Sequence, residues 1–261
     1  MLALTAVHPT WKSPLSETPR LLPDVLPSAM VMQSDRRQMY ELLETYFEST
    51  SFRQFELDLS EKDTVILLRD PEDARVVGFS TLMKLSITVE KRRVAGFFSG
   101  DTIVARERWG SSLLGRLWLR TVFSEAERIQ TQSPGTLLYW FLICSGYKTW
   151  RYLPIFFRDY WPHPELTASA FDRQVLHALA TRKFGDEYHP NPGIVRFRRA
   201  NPLRPGVADV TQERLRDPMV RFFLRMNPGH RDGDELACLA PLSRSNLTAA
   251  GLRLLEAGAG R

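Results

Sequence analysis

Asp101 is the one carboxylate within Phe97–Val104 (FFSGDTIV), a segment otherwise built of aromatic, β-branched and small residues. A carboxylate in partly apolar surroundings holds its proton to higher pH, which suits a general base working near neutrality. The competing assignment is a local side-chain hydrogen bond to a neighbouring N–H, in a bulge with Thr102. Just beyond lies Arg106-Glu107-Arg108-Trp109-Gly110-Ser111-Ser112, a basic turn ending in three small residues. Leu113, Leu114, Leu117, Trp118, Thr121 and Val122 then recur at helical spacing, with Arg116 and Arg120 on the opposite side. A strand, a turn and a helix start leave backbone N–H groups free to hold an anion. Gly110 lets the backbone approach it, and the arginines pair with phosphate oxygens. Surface arginines flanking an N-cap serine are the competing assignment.

Other reactive groups are sparse. Cys144 and Cys238 are the only cysteines, and five scattered histidines lack metal-ligand spacing, so neither a disulfide framework nor a zinc site is expected. Cys144 closes an apolar run, where a cysteine is an inert core residue, and nothing in the sequence brings His163 beside it. Asp232, Asp234 and Glu235 follow Asn227-Pro228-Gly229-His230 as an acidic cluster, either a solvated turn or a recognition site for a cationic amine. Tyr139, Trp140, Phe141, Trp150, Phe156, Phe157, Tyr160 and Trp161 form a dense aromatic belt. Packing accounts for it, with a tunnel for an apolar chain as the sharper alternative.

The elements that position these residues follow from pattern. Residues 1–27, with five prolines, read as an extended flexible arm. A helix capped by Ser34 and a short helix over Phe52–Leu59 come next. Thr64–Leu68, Val76–Val89 and the segment holding Asp101 form an antiparallel meander joined by Asp70-Pro71-Glu72-Asp73 and by Glu90–Arg93. After the central helix, Ser133-Pro134-Gly135 breaks the chain. Thr136–Cys144 (TLLYWFLIC) is a strand buried on both faces, and Tyr147–Phe157 is helical. Further on, helices are expected over Leu166–Lys183, Met219–Met226 and Ser243–Leu255, the last capped near Ser245, with short strands at Ile194–Phe197 and Leu236–Leu239. The fold class is therefore α/β (α+β), with a mixed, mostly antiparallel central sheet flanked by helices. The divisions are an arm at 1–27, a core at 28–162 and a C-terminal α/β extension at 163–261.

This order, with its basic turn, resembles the GNAT superfamily of acyl-CoA N-acyltransferases over roughly residues 30–160. There a strand runs into a [QR]-x-x-G-x-[GA] turn whose amides hold the cofactor pyrophosphate. Starting at Glu107, E-R-W-G-S-S supplies Gly110 and Ser112 at the small positions, with Glu107 in the leading place. Starting at Trp109, W-G-S-S-L-L keeps Gly110. The resemblance implies that Thr136–Cys144 splays from the central strand and admits the pantetheine arm of acyl-CoA, or of an acyl-phosphopantetheine carrier. It places that cosubstrate along Ile103, Val104, Arg106, Arg108, Trp109, Gly110, Ser111 and Ser112. It makes Asp101 the base that deprotonates the amine, and Tyr147, with Tyr152 as fallback, the acid that protonates the leaving thiolate.

The implied reaction is direct attack of a primary amine, on a small molecule or a peptide side chain, without a metal. Implied partners are that acceptor, an acyl carrier protein and a second copy of the chain. Two other classes fit the same residues: a non-catalytic acyl-CoA or carrier-protein binding module, and a basic domain for protein or nucleic-acid contacts. A net charge of +5 spread along the chain argues against nucleic acid. The chain has 43% hydrophobic and 25% charged residues, and no apolar run reaches the ~20 residues of a membrane span. With no secretory signal, a reduced cytoplasmic setting is the expectation.

Overall fold

The computed structural model describes residues 21–257. Its strands are Leu22–Pro27 (β1), Thr64–Arg69 (β2), Val76–Val89 (β3), Arg92–Val104 (β4), Leu137–Cys144 (β5), Tyr188–His189 (β6), Ile194–Val195 (β7) and Glu235–Pro241 (β8). They form one sheet in the order β1-β2-β3-β4-β5-β8-β7-β6. Only β4 and β5 are parallel; every other neighbouring pair is antiparallel. The helices are Gln33–Glu44 (α1), Phe52–Ser60 (α2), Leu113–Gln132 (α3), Tyr147–Trp150 (α4), Tyr152–Phe156 (α5), Ala170–Phe184 (α6), Pro218–Met226 (α7) and Ala249–Glu256 (α8).

Alternation decides which face each side chain serves. On β5, Trp140, Leu142 and Cys144 join the core under α3, α5, α7 and α8, while Tyr139 and Phe141 join the core under α6. A third cluster packs α1 and α2 onto β2 and β3 through Met39, Phe55, Val65, Leu67 and Phe79. The sheet is thus covered on both sides, as the apolar run of β5 requires. Beneath α1, Arg69 donates two hydrogen bonds to the Asp35 carboxylate, at 2.7 and 2.8 Å, and Asp35 is buried. Removing one partner strands the other charge, so Asp35→Ala should lower unfolding free energy by about 3 kcal/mol in urea titration.

Several expectations need correction. The arm does not extend to residue 27, because β1 pairs along β2 from Leu22↔Arg69 to Pro27↔Thr64. Its prolines are tolerated because β1 is an edge strand, where a missing N–H need not break a ladder; residues 1–20 of the arm lie outside the described residues. Helix α1 begins at Gln33 without a side-chain cap, so Ser34 is already helical. The segment 147–157 is two short helices rather than one. The long sixth helix starts only at Ala170, where the Ser169 side chain accepts from Asp172 N. The last helix is capped by Thr248, whose side chain accepts from Gly251 N, and not near Ser245. The extension completes the sheet: β8 pairs along β5 from Tyr139↔Pro241 to Cys144↔Leu236.

Candidate active site

Pairing between β4 and β5 runs from Val94↔Leu137 to Ser99↔Leu142 and stops there, although β4 continues to Val104 and β5 to Cys144. An irregularity in β4 marks the parting. On β4, Gly100 and Asp101 together oppose Thr81, since Leu82 pairs Ser99 and Ser80 pairs Thr102. Two residues against one is a bulge, which bends the strand and moves later side chains to the opposite face. Phe98 lies in the core under α6 and Phe97 in the core under α3. Beyond the bulge the odd-numbered Ile103 lies in the core under α1 and α2.

A cavity of about 650 Å³ opens in this gap, lined by Gly100 and Thr102–Val104, by Trp109–Ser112, and by Trp118, Trp140, Tyr152 and Phe156. Its floor is the point where the strands meet: the Ser99 hydroxyl accepts from Nε1 of both Trp118 and Trp140, each at 2.9 Å. Their ring centroids lie 4.5 Å apart. At its other end the turn before α3 presents amides. Ser111 N is bonded to Arg108 O, and Leu113 N to Ser111 Oγ. Among the described residues no acceptor takes the amides of Gly110, Ser112, Leu114 or Gly115. Leu114 and Gly115 lie in the first turn of a twenty-residue helix, with Ser112 at its N-cap and Gly110 just before it, and the positive end of that helix favours a phosphate.

Gly110 is open: a Cβ there would meet nothing within 4 Å. Gly110→Leu should therefore fold with unchanged thermal midpoint yet raise the KM for an acyl donor several-fold, measured by initial rates against donor concentration.

The arginines of the turn are not equivalent. Arg108 is spent on Asp70, at 2.6 Å, and is not available to a ligand. The Glu72 amide and then Arg108 hold the Asp70 carboxyl below its ordinary range. That Asp70, at the start of the turn after β2, meets Arg108 is a tertiary contact which the motif alone does not reveal. Arg106 is exposed; it donates to Gly206 O at 3.1 Å and its guanidinium lies 5.4 Å from the Trp109 ring. Trp109 is itself 44% exposed, with Nε1 donating to Val104 O. A cation absent from the sequence reading, Lys148, lies 4.2 Å from the same ring and lines the cavity. Burial, then Arg106 and Arg214, push its ammonium pKa down.

Through the same gap the cavity adjoins a narrower pocket of about 150 Å³ on the opposite side of the sheet. Phe47, Gly100, Thr102, Ile103, Ile143 and Thr149 line both. Asp101 lies in the narrow pocket, with Asp58, Lys183, Ser145 and Glu235. Burial, then the Asp58 charge, raise the Asp101 pKa to about 7 against the opposing pull of Lys62 and Lys183. Burial likewise carries Glu235 to about 8, with Asp101 and Asp58 adding to the rise. Two carboxyls thus titrate near neutrality beside the gap. The expected acidic cluster is divided: Asp234 is buried against Arg196, with oxygens 2.9 and 2.6 Å from it, whereas Glu235 alone reaches the pocket.

Tyr147 requires correction. It is 4% exposed, packs into the core with Trp150, and lines neither pocket. One helical turn separates these two residues, so burying Trp150 buries Tyr147 as well. The chain is re-aimed at Arg151, and Tyr152, 41% exposed, lines the cavity instead. Within the aromatic belt, Trp140 and Phe156 line the cavity, whereas Tyr139, Phe141, Trp150, Phe157 and Tyr160 are core. Cys144 is buried 4.0 Å from the Cys238 sulfur, and burial holds its thiol protonated. His163 is occupied elsewhere, accepting from the amides of Glu165 and Leu166.

Among the described residues no group of His, Cys, Asp and Glu is arranged to hold a metal ion, and no helix is long and apolar enough to cross a membrane. No family model and no curated relative matches the chain. Solved structures to which it is similar include a conserved protein of unknown function from Enterococcus faecalis, at 14% identity and TM-score 0.38, covering 50% of this chain and 31% of that one. Another is the GNAT family N-acetyltransferase YhbS from Escherichia coli in complex with CoA, at 17% identity and TM-score 0.37, covering 54% and 71%. A third is a Trypanosoma brucei acetyltransferase, at 20% identity and TM-score 0.37, covering 57% and 100%. The chain thus spans less than a third of the Enterococcus protein. The element order, the parting of β4 from β5 and the amide turn before α3 are the features that the resemblance drawn from the sequence implies.

Proposed function

We propose that the protein is an N-acyltransferase that moves an acyl group from acyl-CoA, or from an acyl-phosphopantetheine carrier, to a primary amine by direct attack. The observation that carries this reading is the through-sheet arrangement: a donor-sized cavity ending in free amides meets, at the β4–β5 gap, a pocket holding two near-neutral carboxyls. The amides of Gly110, Ser112, Leu114 and Gly115 take the donor's phosphate, with Arg106 and Lys148 supplying charge at the mouth. Ile103 and Val104 border the arm along the unpaired edge of β4, and Trp109 and Ser111 close its outer end. The amine enters from the narrow pocket, and Asp101 takes its proton as nitrogen attacks the thioester carbon. Backbone N–H groups on the free edge of β4 face the oxyanion. As the C–S bond breaks, the Tyr152 hydroxyl returns a proton to the sulfur, giving an amide and a free thiol.

Thiol release from acyl-CoA and from acyl-4′-phosphopantetheine, assayed over a panel of primary amines, tests the reading. Amine-dependent release supports it. Tight donor binding without release for any amine would reduce the protein to a binding module. The same pocket sets the pH dependence: turnover should rise through about pH 7, as Asp101 loses its proton.

A further inference from the structure

Ser99 holds the last paired position of β4 against β5 and lines the larger cavity at its floor, where it is 7% exposed. Its oxygen accepts from the indole N–H groups of Trp118 and Trp140. A hydroxyl has two acceptor lone pairs and one hydrogen to give. Both lone pairs are therefore filled, and the hydrogen is left the one remaining direction. Among the described residues nothing accepts from it. The two rings that fix the oxygen are themselves buried, so the hydroxyl is held rather than free to turn. A nearly buried donor without a partner is costly, and at the wall of a cavity it marks a place for a ligand acceptor. The strands part just beyond Ser99, and Asp101 follows two residues on, in the narrow pocket.

We infer that the Ser99 hydroxyl is a catalytic hydrogen-bond donor to the thioester carbonyl oxygen, adding a side-chain donor to the backbone N–H groups of β4. The inference rests on the acyl-transfer reading above. As the amine nitrogen bonds to the carbonyl carbon, the C=O electron pair moves onto oxygen, and Ser99 stabilises that charge while keeping its own proton. On collapse the pair re-forms C=O and the C–S bond breaks. Two N–H groups donating into one oxygen polarise its O–H bond and make it a stronger donor. Because the indoles hold the hydroxyl in place beforehand, no reorganisation is needed as the charge develops.

Ser99→Ala and Ser99→Cys separate this role from packing. Cysteine keeps nearly the size of the side chain but replaces the hydroxyl with a weak donor. Both variants should bind CoA, in calorimetric titration, within about threefold of wild type, which reports an intact cavity. Both should lose about 10²-fold in kcat for amine-dependent thiol release from acetyl-CoA, with the donor KM within about threefold. The rise in turnover through about pH 7 should survive, since Asp101 is untouched. Ser99→Ala strands two indole N–H groups; if it fails to fold, Ser99→Cys decides. An unchanged kcat in a variant that binds CoA, or a loss carried by KM alone, would overturn the assignment and leave acyl transfer standing. Wild-type protein that releases no thiol with any amine would overturn both.

Discussion

Asp101→Asn should lower turnover by about 10²-fold or more while leaving the KM for the acyl donor within about twofold. The asparagine keeps the shape of the side chain but accepts no proton, and Asp101 lies in the narrow pocket, outside the cavity assigned to the donor. Stability should move the other way. An acid whose pKa is raised on folding binds more protons in the folded state, so its contribution falls as pH rises from the unfolded value of 3.8 toward about 7. Above that range the partly desolvated charge is a cost that Asn removes. The variant should therefore be more stable than wild type at pH 8, on the order of 1 kcal/mol, and should lose that advantage near pH 4. Undiminished turnover, or lower stability at pH 8, would return Asp101 to a structural role.

The second large effect concerns the floor of the gap. Trp140 is 4% exposed, packs 4.5 Å from Trp118 and 5.5 Å from Phe157 between ring centroids, and donates to Ser99. Trp140→Ala should cost about 3–5 kcal/mol in chemical denaturation, because a large cavity opens where β4 and β5 last pair. Trp140→Phe should recover most of that loss while leaving Ser99 with one indole donor. If Ala were tolerated at under about 1 kcal/mol, the vertex would be far looser than its packing indicates.

Much of the frame was legible in the sequence for identifiable reasons. Val76–Val89 has in the structure the bounds expected of it as the partner strand of Thr64–Leu68, and the continuous apolar run of β5 correctly marks a strand buried on both faces. The helix after the basic turn begins at Leu113, where its periodicity begins. What escaped depends on contacts between distant residues. The bulge at Gly100–Asp101 changes which face the following side chains serve, and only pairing with β3 reveals it. Arg108 belongs to Asp70 rather than to a ligand, a link across 38 positions. Glu235 reaches the pocket of Asp101 because β8 inserts beside β5, a pairing no local pattern encodes. Tyr147 and Tyr152 differ only in how two short helices are aimed, and burial of Trp150 decides between them.

The structure of the protein with bound CoA tests the central claim most directly. The account predicts the diphosphate within hydrogen-bonding distance of the Gly110, Ser112, Leu114 and Gly115 amides, the pantetheine arm between residues 100–104 and Ile143, and the sulfur facing Asp101 across the gap. CoA bound elsewhere, or residues 100–104 hydrogen-bonded directly to β5 in its presence, would contradict it.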